Sequence, residues 1–328
     1  MPDALGGHFD AAAGTAGRWL HAAYWRYLAA RYGAFRAVHS WELVNEAAPG
    51  FGEHFRLTAA LATQAAADGN PHLASTSTWA TLAEDAWLHP ESAAIDYMDF
   101  HAYVNNTGWL EPKPALTSDS ARLFAEYDRA ALAAGFAKPV IWGELGIDGT
   151  TTTDEEEPQL AEDADGVWLH KLTWARLGPG GVTPLYWYTD NIDGWELHPI
   201  FGAWRRFMAG IPLTNGRYVD ADATSSTADL RAFGQKDVAG GQTHLWLDNA
   251  RHTWRNVVDG AAIPAVSGTV TVNMGAPNAA FRAVWYDTRT GLPLNTETIT
   301  ADAAGNVRLT VANLATDRAV KLARSGSR

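Results

Sequence analysis

The chain has 328 residues, enough for two domains and a large core, and 47% of them are hydrophobic, an ordinary globular share. A formal net charge of −12 argues against nucleic acid as a partner, because phosphate binding needs a basic surface, and leaves a neutral polymer such as a polysaccharide unopposed. With no cysteine, the chain can hold no disulfide, thiolate metal site or cysteine nucleophile. No stretch of about 18 apolar residues exists, so no membrane span is expected. Residues 1–10 lack the basic-then-apolar order of a secretory signal, and no compartment follows from the sequence.

Taken in chain order, the spacing predicts a helix over 15–32, where Trp19, Leu20, Ala23, Tyr24, Tyr27 and Leu28 recur at helical intervals and Gly33 stops the run. A buried strand is expected over 37–46, then a second amphipathic helix over 53–68 closed by Gly69-Asn70-Pro71. Strands are expected at 72–78 and 95–103, a helix at 118–135 with Ser118 or Ser120 as cap, and a strand at 139–147. A helix over 158–177 follows, opened by Pro158, then a strand at 183–188 and a short helix at 201–208. This alternation of strand and helix is the sign of a parallel α/β architecture. Beyond about residue 214 short strands with period-two alternation take over, as in Val270/Val272, Phe281/Ala283/Trp285 and Val307/Leu309/Val311, and read as an antiparallel β-sandwich. The polar stretch 214–227 reads as the junction, which divides the chain into domains at 1–213 and 214–328.

Two strands end in a carboxylate: Trp41-Glu42-Leu43-Val44-Asn45-Glu46 and Trp142-Gly143-Glu144-Leu145-Gly146. Glu46 and Glu144 lie about three β/α units apart. Parallel strands in a barrel deliver their C-terminal ends to one face, so the two glutamates are expected to converge across one cleft. Two facing carboxylates are what glycosidic bond cleavage needs. Glu42 shares strand parity with Glu46 and should point the same way, one layer deeper, where a carboxylate wants a cationic or hydrogen-bonding partner. The 15 tryptophans suit stacking on sugar rings as well as core packing. Trp246, Trp254 and Trp285 are candidate sugar platforms in the sandwich, the last more in keeping with the core. Residues 190–194 read as a turn rather than a Ca²⁺ loop. No metalloprotease spacing, nucleophile elbow or phosphate loop occurs, and neither a metal nor a cofactor is called for.

Over residues 15–210 these motifs resemble clan A of the glycoside hydrolases, and most of all its cellulase-type family five. The resemblance implies a (β/α)8 (TIM) barrel, a retaining mechanism on β-linked glycosides, and an oligo- or polysaccharide as partner. Asn45-Glu46 is similar to the strand-four motif, which makes Glu46 the general acid/base and Asn45 a ligand of the sugar 2-hydroxyl. Glu144 is similar to the strand-seven nucleophile, and His101-Ala102-Tyr103 to the strand-six pair, with Tyr103 toward the nucleophile and His101 lining the subsite. Trp187 is similar to the strand-eight subsite floor. Five strands precede the sandwich, so the resemblance implies strands four to eight only, without the clan's strand-two arginine. Such a barrel has open edges and is expected to self-associate. The chain by itself is then expected to be weakly active or inactive, with a non-catalytic carbohydrate-binding or scaffold protein as the alternative.

Overall fold

The computed structural model describes residues 14–46, 52–78, 90–104, 117–123, 133–135, 138–147, 158–178 and 189–326. The chain forms two compact units: Met1–Tyr103 with Arg129–Leu145, and Val104–Asp128 with Gly146–Arg328. The strand expected at 183–188, Trp187 within it, most of the helix expected at 118–135, and the acidic run 154–157 lie outside the described residues.

The first unit opens with α1 (Ala16–Tyr32), whose first turn is capped by the Thr15 side chain accepting from the Arg18 N–H. Its Trp25 packs edge-on against Trp41 and donates to the Leu43 carbonyl, which ties the helix to β1 (Ser40–Glu42). Helix α2 (Gly52–Ala67) buries Leu57 and Leu61 against Leu43, Val44 and Ala74. That cluster fixes the strand faces: the apolar side chains meet the helices, and the polar ones of the same strands are left for the other side.

The strand expected at 72–78 is present in two pieces, β2 (Leu73–Ser75) and β3 (Ser77–Thr78). β1 pairs with β2 in parallel, and β3 pairs in parallel with β4 (Met98–Val104). The break at Thr76 does not end the sheet, because the Leu43 N–H still donates to Ser75 and the Ser77 N–H to Val44. β4 in turn neighbours β5 (Val140–Ile147). The result is a run of strands in chain order, with α2 between β1 and β2, an α/β arrangement. The first strand, Ser40–Glu42, is shorter than the expected 37–46, and Glu46 beyond it has φ 49°.

The second unit holds two antiparallel sheets, consistent with a β-sandwich. One has the order β12-β11-β14-β9-β8-β6: β6 (Val219–Asp220), β8 (Leu230–Asp237), β9 (Gln242–Asn249), β11 (Ala280–Tyr286), β12 (Pro293–Thr300) and β14 (Asp317–Arg324). The other has the order β13-β10-β7: β7 (Thr224–Ser225), β10 (Val266–Asn273) and β13 (Asn306–Leu314). Leu245, Leu247, Val270, Val272, Phe281, Trp285, Val307, Leu309 and Val311 form the shared core.

Several expectations are corrected here. The stretch 214–227 holds two short strands that the sequence did not suggest, β6 and β7, which pair with β8 and β10. The helix expected over 158–177 is two pieces: a 3₁₀ turn (Pro158–Glu162) and a helix (Val167–Ala175). Gly166 at φ 59° separates them, and the Asp163 carboxylate accepts the Val167 and Trp168 N–H groups, restarting the helix there. Ser120 donates to the Trp168 carbonyl rather than serving as a cap for 118–135. Residues 190–194 lie in a short helix (Thr189–Gly194), and Asn191 is buried with its amide donating to the Leu160 carbonyl.

The helix Val167–Ala175 falls in the same compact unit as the strands that follow it. β9 is buried on both faces, and on the face opposite Leu245 and Leu247 its Asp248 pairs with Lys171 of that helix and with Arg231. Beside it Asp317 accepts from His170 Nε2 at 2.6 Å, Trp246 Nε1 at 2.6 Å and Thr288 Oγ1 at 2.9 Å. Trp246 and Trp254 are therefore buried hydrogen-bond donors, Trp254 to the Thr117 carbonyl, and not sugar platforms. Trp285 belongs to the sandwich core.

Candidate active site

The polar ends of β1, β4 and β5 converge on one imidazole in the first unit. His101 is 1% exposed. Its Nδ1 lies 2.9 Å from Glu46 Oε1 and 3.3 Å from Glu144 Oε2. Its Nε2 lies 3.8 Å from Glu42 Oε1 and 3.9 Å from Asp99 Oδ1. One ring thus separates an outer carboxylate pair, Glu46 and Glu144, from an inner pair, Glu42 and Asp99.

Each position follows from local structure. Asp99 and His101 are two apart on β4, so they share a strand face. Glu42 ends β1, and Glu46 reaches the same imidazole from beyond that strand through its left-handed backbone. A non-glycine residue there is strained by about 1–2 kcal/mol. The strain is held by Ser77, whose Oγ accepts the Glu46 N–H at 2.9 Å. The Ser77 hydroxyl also hydrogen-bonds the Glu42 carboxylate, so one β3 side chain serves both acids. Beneath, Thr76 Oγ1 donates to the Val44 carbonyl at 2.7 Å and accepts from His54 Nε2 at 2.6 Å. That chain pins the backbone two residues before Glu46.

The electrostatics follow from four acids around one buried ring. Burial pushes Asp99 up to about 7, and the neighbouring charges of Glu42 and Glu144 add to it, while His101 and the Gly143 N–H oppose. Burial also raises Glu42, against the Ser77 hydrogen bond and His101. For His101 burial disfavours the charged ring, but the Glu46 hydrogen bond and the charges of Glu144, Asp99 and Glu42 outweigh it and raise its pKa. Donor atoms of Glu46, His101 and Glu144, and of Glu42, Asp99 and His101, lie within 4.8 Å of one another in each group, dense enough for a cation. A protonated imidazole compensates the same charge, and no metal is assigned.

Of the residues singled out from sequence, Glu46, His101 and Glu144 are brought together, with exposed Asn45 next to Glu46. Tyr103 has its backbone in β4, and its side chain lies outside the described residues, as does all of Trp187. Glu42 finds its partner in His101 on β4 and in Ser77, not on an earlier strand. Sequence reasoning missed Asp99 and Ser77. The signal for Asp99 was its two-residue spacing from His101. Ser77 carried none, being one small polar residue among several in Ser75-Thr76-Ser77-Thr78.

No family model matches the chain, and no curated protein matches it. Solved structures do. A glycoside hydrolase is 15% identical, with 95% of this chain and 70% of that one covered at a TM-score of 0.59. A glycoside hydrolase family 5 protein from Bacteroides vulgatus ATCC 8482 is 14% identical, with 94% and 67% covered at 0.57. A glycoside hydrolase family 44 endoglucanase from Clostridium acetobutylium ATCC 824 is 11% identical, with 92% and 70% covered at 0.53. At these identities the likeness is one of fold: the chain has an α/β fold whose structural neighbours are glycoside hydrolases.

Proposed function

We propose that the chain carries the site of a retaining glycoside hydrolase that cleaves β-linked glycosides or polysaccharides by double displacement. The observation that carries the reading is the approach of Glu46 and Glu144 to one imidazole nitrogen, at 2.9 and 3.3 Å. With the two carboxylate oxygens within 4.8 Å, the pair is spaced for a nucleophile and an acid rather than for an intervening water. Glu144 attacks the anomeric carbon while Glu46 gives its proton to the leaving oxygen. Glu46 then takes a proton from water, which attacks the glycosyl ester and frees Glu144. Asn45, His101, Tyr103 and Trp187 bind the sugar in this reading.

In the same reading residues 1–213 derive from a TIM barrel and 214–328 from an accessory sandwich. The chemistry needs no cofactor. Nucleic acid is not a partner at a net charge of −12. Among the described residues no helix is long and apolar enough to cross a membrane. Open barrel edges favour self-association.

Because turnover by this chain alone is expected to be slow, covalent labelling is the better test. A 2-deoxy-2-fluoro β-glycoside should add one glycosyl mass to Glu144, and Glu144→Gln should abolish the adduct. A chain that retains oligosaccharide on an affinity gel but never becomes labelled would instead be a binding or scaffold protein.

A further inference from the structure

The outer carboxylate pair absorbs Glu46, Glu144 and His101 but leaves the inner pair, Glu42 and Asp99, without a part in the chemistry. Asp99 is 6% exposed, and its Oδ1 accepts the Gly143 N–H at 2.9 Å. Gly143 immediately precedes Glu144 on β5. A Cβ at Gly143 would lie 2.1 Å from Asp99 Oδ1, so a side chain there would force Asp99 to move. The same Oδ1 stands 3.9 Å from His101 Nε2, and His101 bonds Glu46 through its other nitrogen. Asp99 therefore reaches both arms of the outer pair, one through a backbone N–H and one through an imidazole. Glu42 lies beside it, with one oxygen of each within 4.8 Å. Two carboxylates so close, one of them buried and the other half-buried, hold one proton between them rather than both ionising.

We propose that Asp99 is the positioning residue of this site, holding Glu144 through Gly143 and Glu46 through His101, and that it does so as a proton-sharing pair with Glu42. The inference rests on the glycosidase reading for its effect on labelling, but not for its effect on His101. The titratable groups that face Asp99 are Glu42 from β1, His101 from β4, Tyr97 just before it, and Glu144 from β5. When the shared proton leaves, the added negative charge holds His101 in its charged form to higher pH. That coupling is electrostatic, because 3.9 Å is beyond hydrogen-bond reach.

The test uses the full chain and three variants. Asp99→Asn keeps the volume and an oxygen for the Gly143 N–H but cannot ionise. Asp99→Ala removes the acceptor. Glu42→Gln removes the proton-sharing partner while leaving Asp99 in place. The ¹⁵N shifts of the His101 imidazole, followed against pH, should show two coupled steps in the wild type. Asp99→Asn should reduce them to one and lower the midpoint by about one pH unit, and Glu42→Gln should keep two steps but move the one that Asp99 contributes to lower pH. Labelling of Glu144 by the fluoro-glycoside should slow about tenfold or more in Asp99→Ala and stay within about twofold of wild type in Asp99→Asn at pH 6. A single-step His101 titration that Asp99→Asn leaves unmoved overturns the proposal, and so does equal labelling of wild type and Asp99→Ala. If the wild type is never labelled the glycosidase reading fails, and the imidazole titration still decides the coupling.

Discussion

The Glu46 N–H is held by Ser77 Oγ at 2.9 Å while the Glu46 backbone sits at φ 49°, a conformation that costs most L-residues energy. Strain of this kind persists only where the surroundings enforce it. It places the Glu46 carboxylate on the His101 imidazole.

Glu46→Gly should therefore stabilise the first unit by up to about 1 kcal/mol, the relief of left-handed strain less the entropy a glycine adds to the unfolded chain. It should also slow labelling of Glu144 by a fluoro-glycoside with a poor leaving group, because the general acid is gone. Urea unfolding checks the first expectation and mass spectrometry the second. A loss of stability would show that the Glu46–His101 bond outweighs the strain.

Burial holds the His54 imidazole neutral, with its pKa down to about 4. A cation whose folded pKa is depressed contributes its full stability above the unfolded value near 6.5, and loses it as pH falls from there toward 4. The size is about 3 kcal/mol. His54→Gln keeps a donor for Thr76 Oγ1 but cannot titrate. Its unfolding free energy should be flatter than wild type between pH 6.5 and 4, and parallel curves would refute this account of the acid limb.

Asp317 runs the other way. Burial by itself opposes its charge, but His170, Trp246 and Lys171 more than compensate and hold its carboxyl well below the usual range. An acid with a depressed folded pKa lends stability above about pH 4 and loses it as pH falls further. Asp317→Ala should destabilise the second unit by about 3–5 kcal/mol at pH 7, because it strands three buried donors. Differential scanning calorimetry at pH 7 and pH 3 should find the gap between the variant and wild type narrowing in acid.

Helix α1 is apolar on two sides. Trp25 faces Trp41, and on the opposite arc Trp19, Leu20, Tyr24 and Tyr27 are 69%, 48%, 54% and 54% exposed. Among the described residues β1 pairs only with β2. Exposed aromatic side chains on such a helix should drive self-association. Sedimentation velocity should show concentration-dependent oligomers that the double variant Trp19→Ser/Tyr27→Ser shifts toward monomer. A wild-type chain that stays monomeric at its solubility limit would dismiss the idea.

Periodicity alone located α1, α2, β4 and β5 to within a few residues, because apolar spacing reports which face of an element is buried. It also pointed to the sandwich core through Phe281, Trp285 and Leu309, whose alternation places them inward. The same code misled at Trp246, where a strand buried on both faces looks like any apolar run. It was blind to the pairing of Lys171, in the helix Val167–Ala175, with Asp248 on β9, 77 residues apart. The sequence by itself determined which residue types were available at the strand ends: Glu46, His101 and Glu144, with glycine before the last. Only the tertiary structure decided that one imidazole stands between two carboxylate pairs, and that Asp99 and Ser77 complete them. Those contacts join strands far apart in the chain, and a pairing across a sheet leaves no local pattern to read.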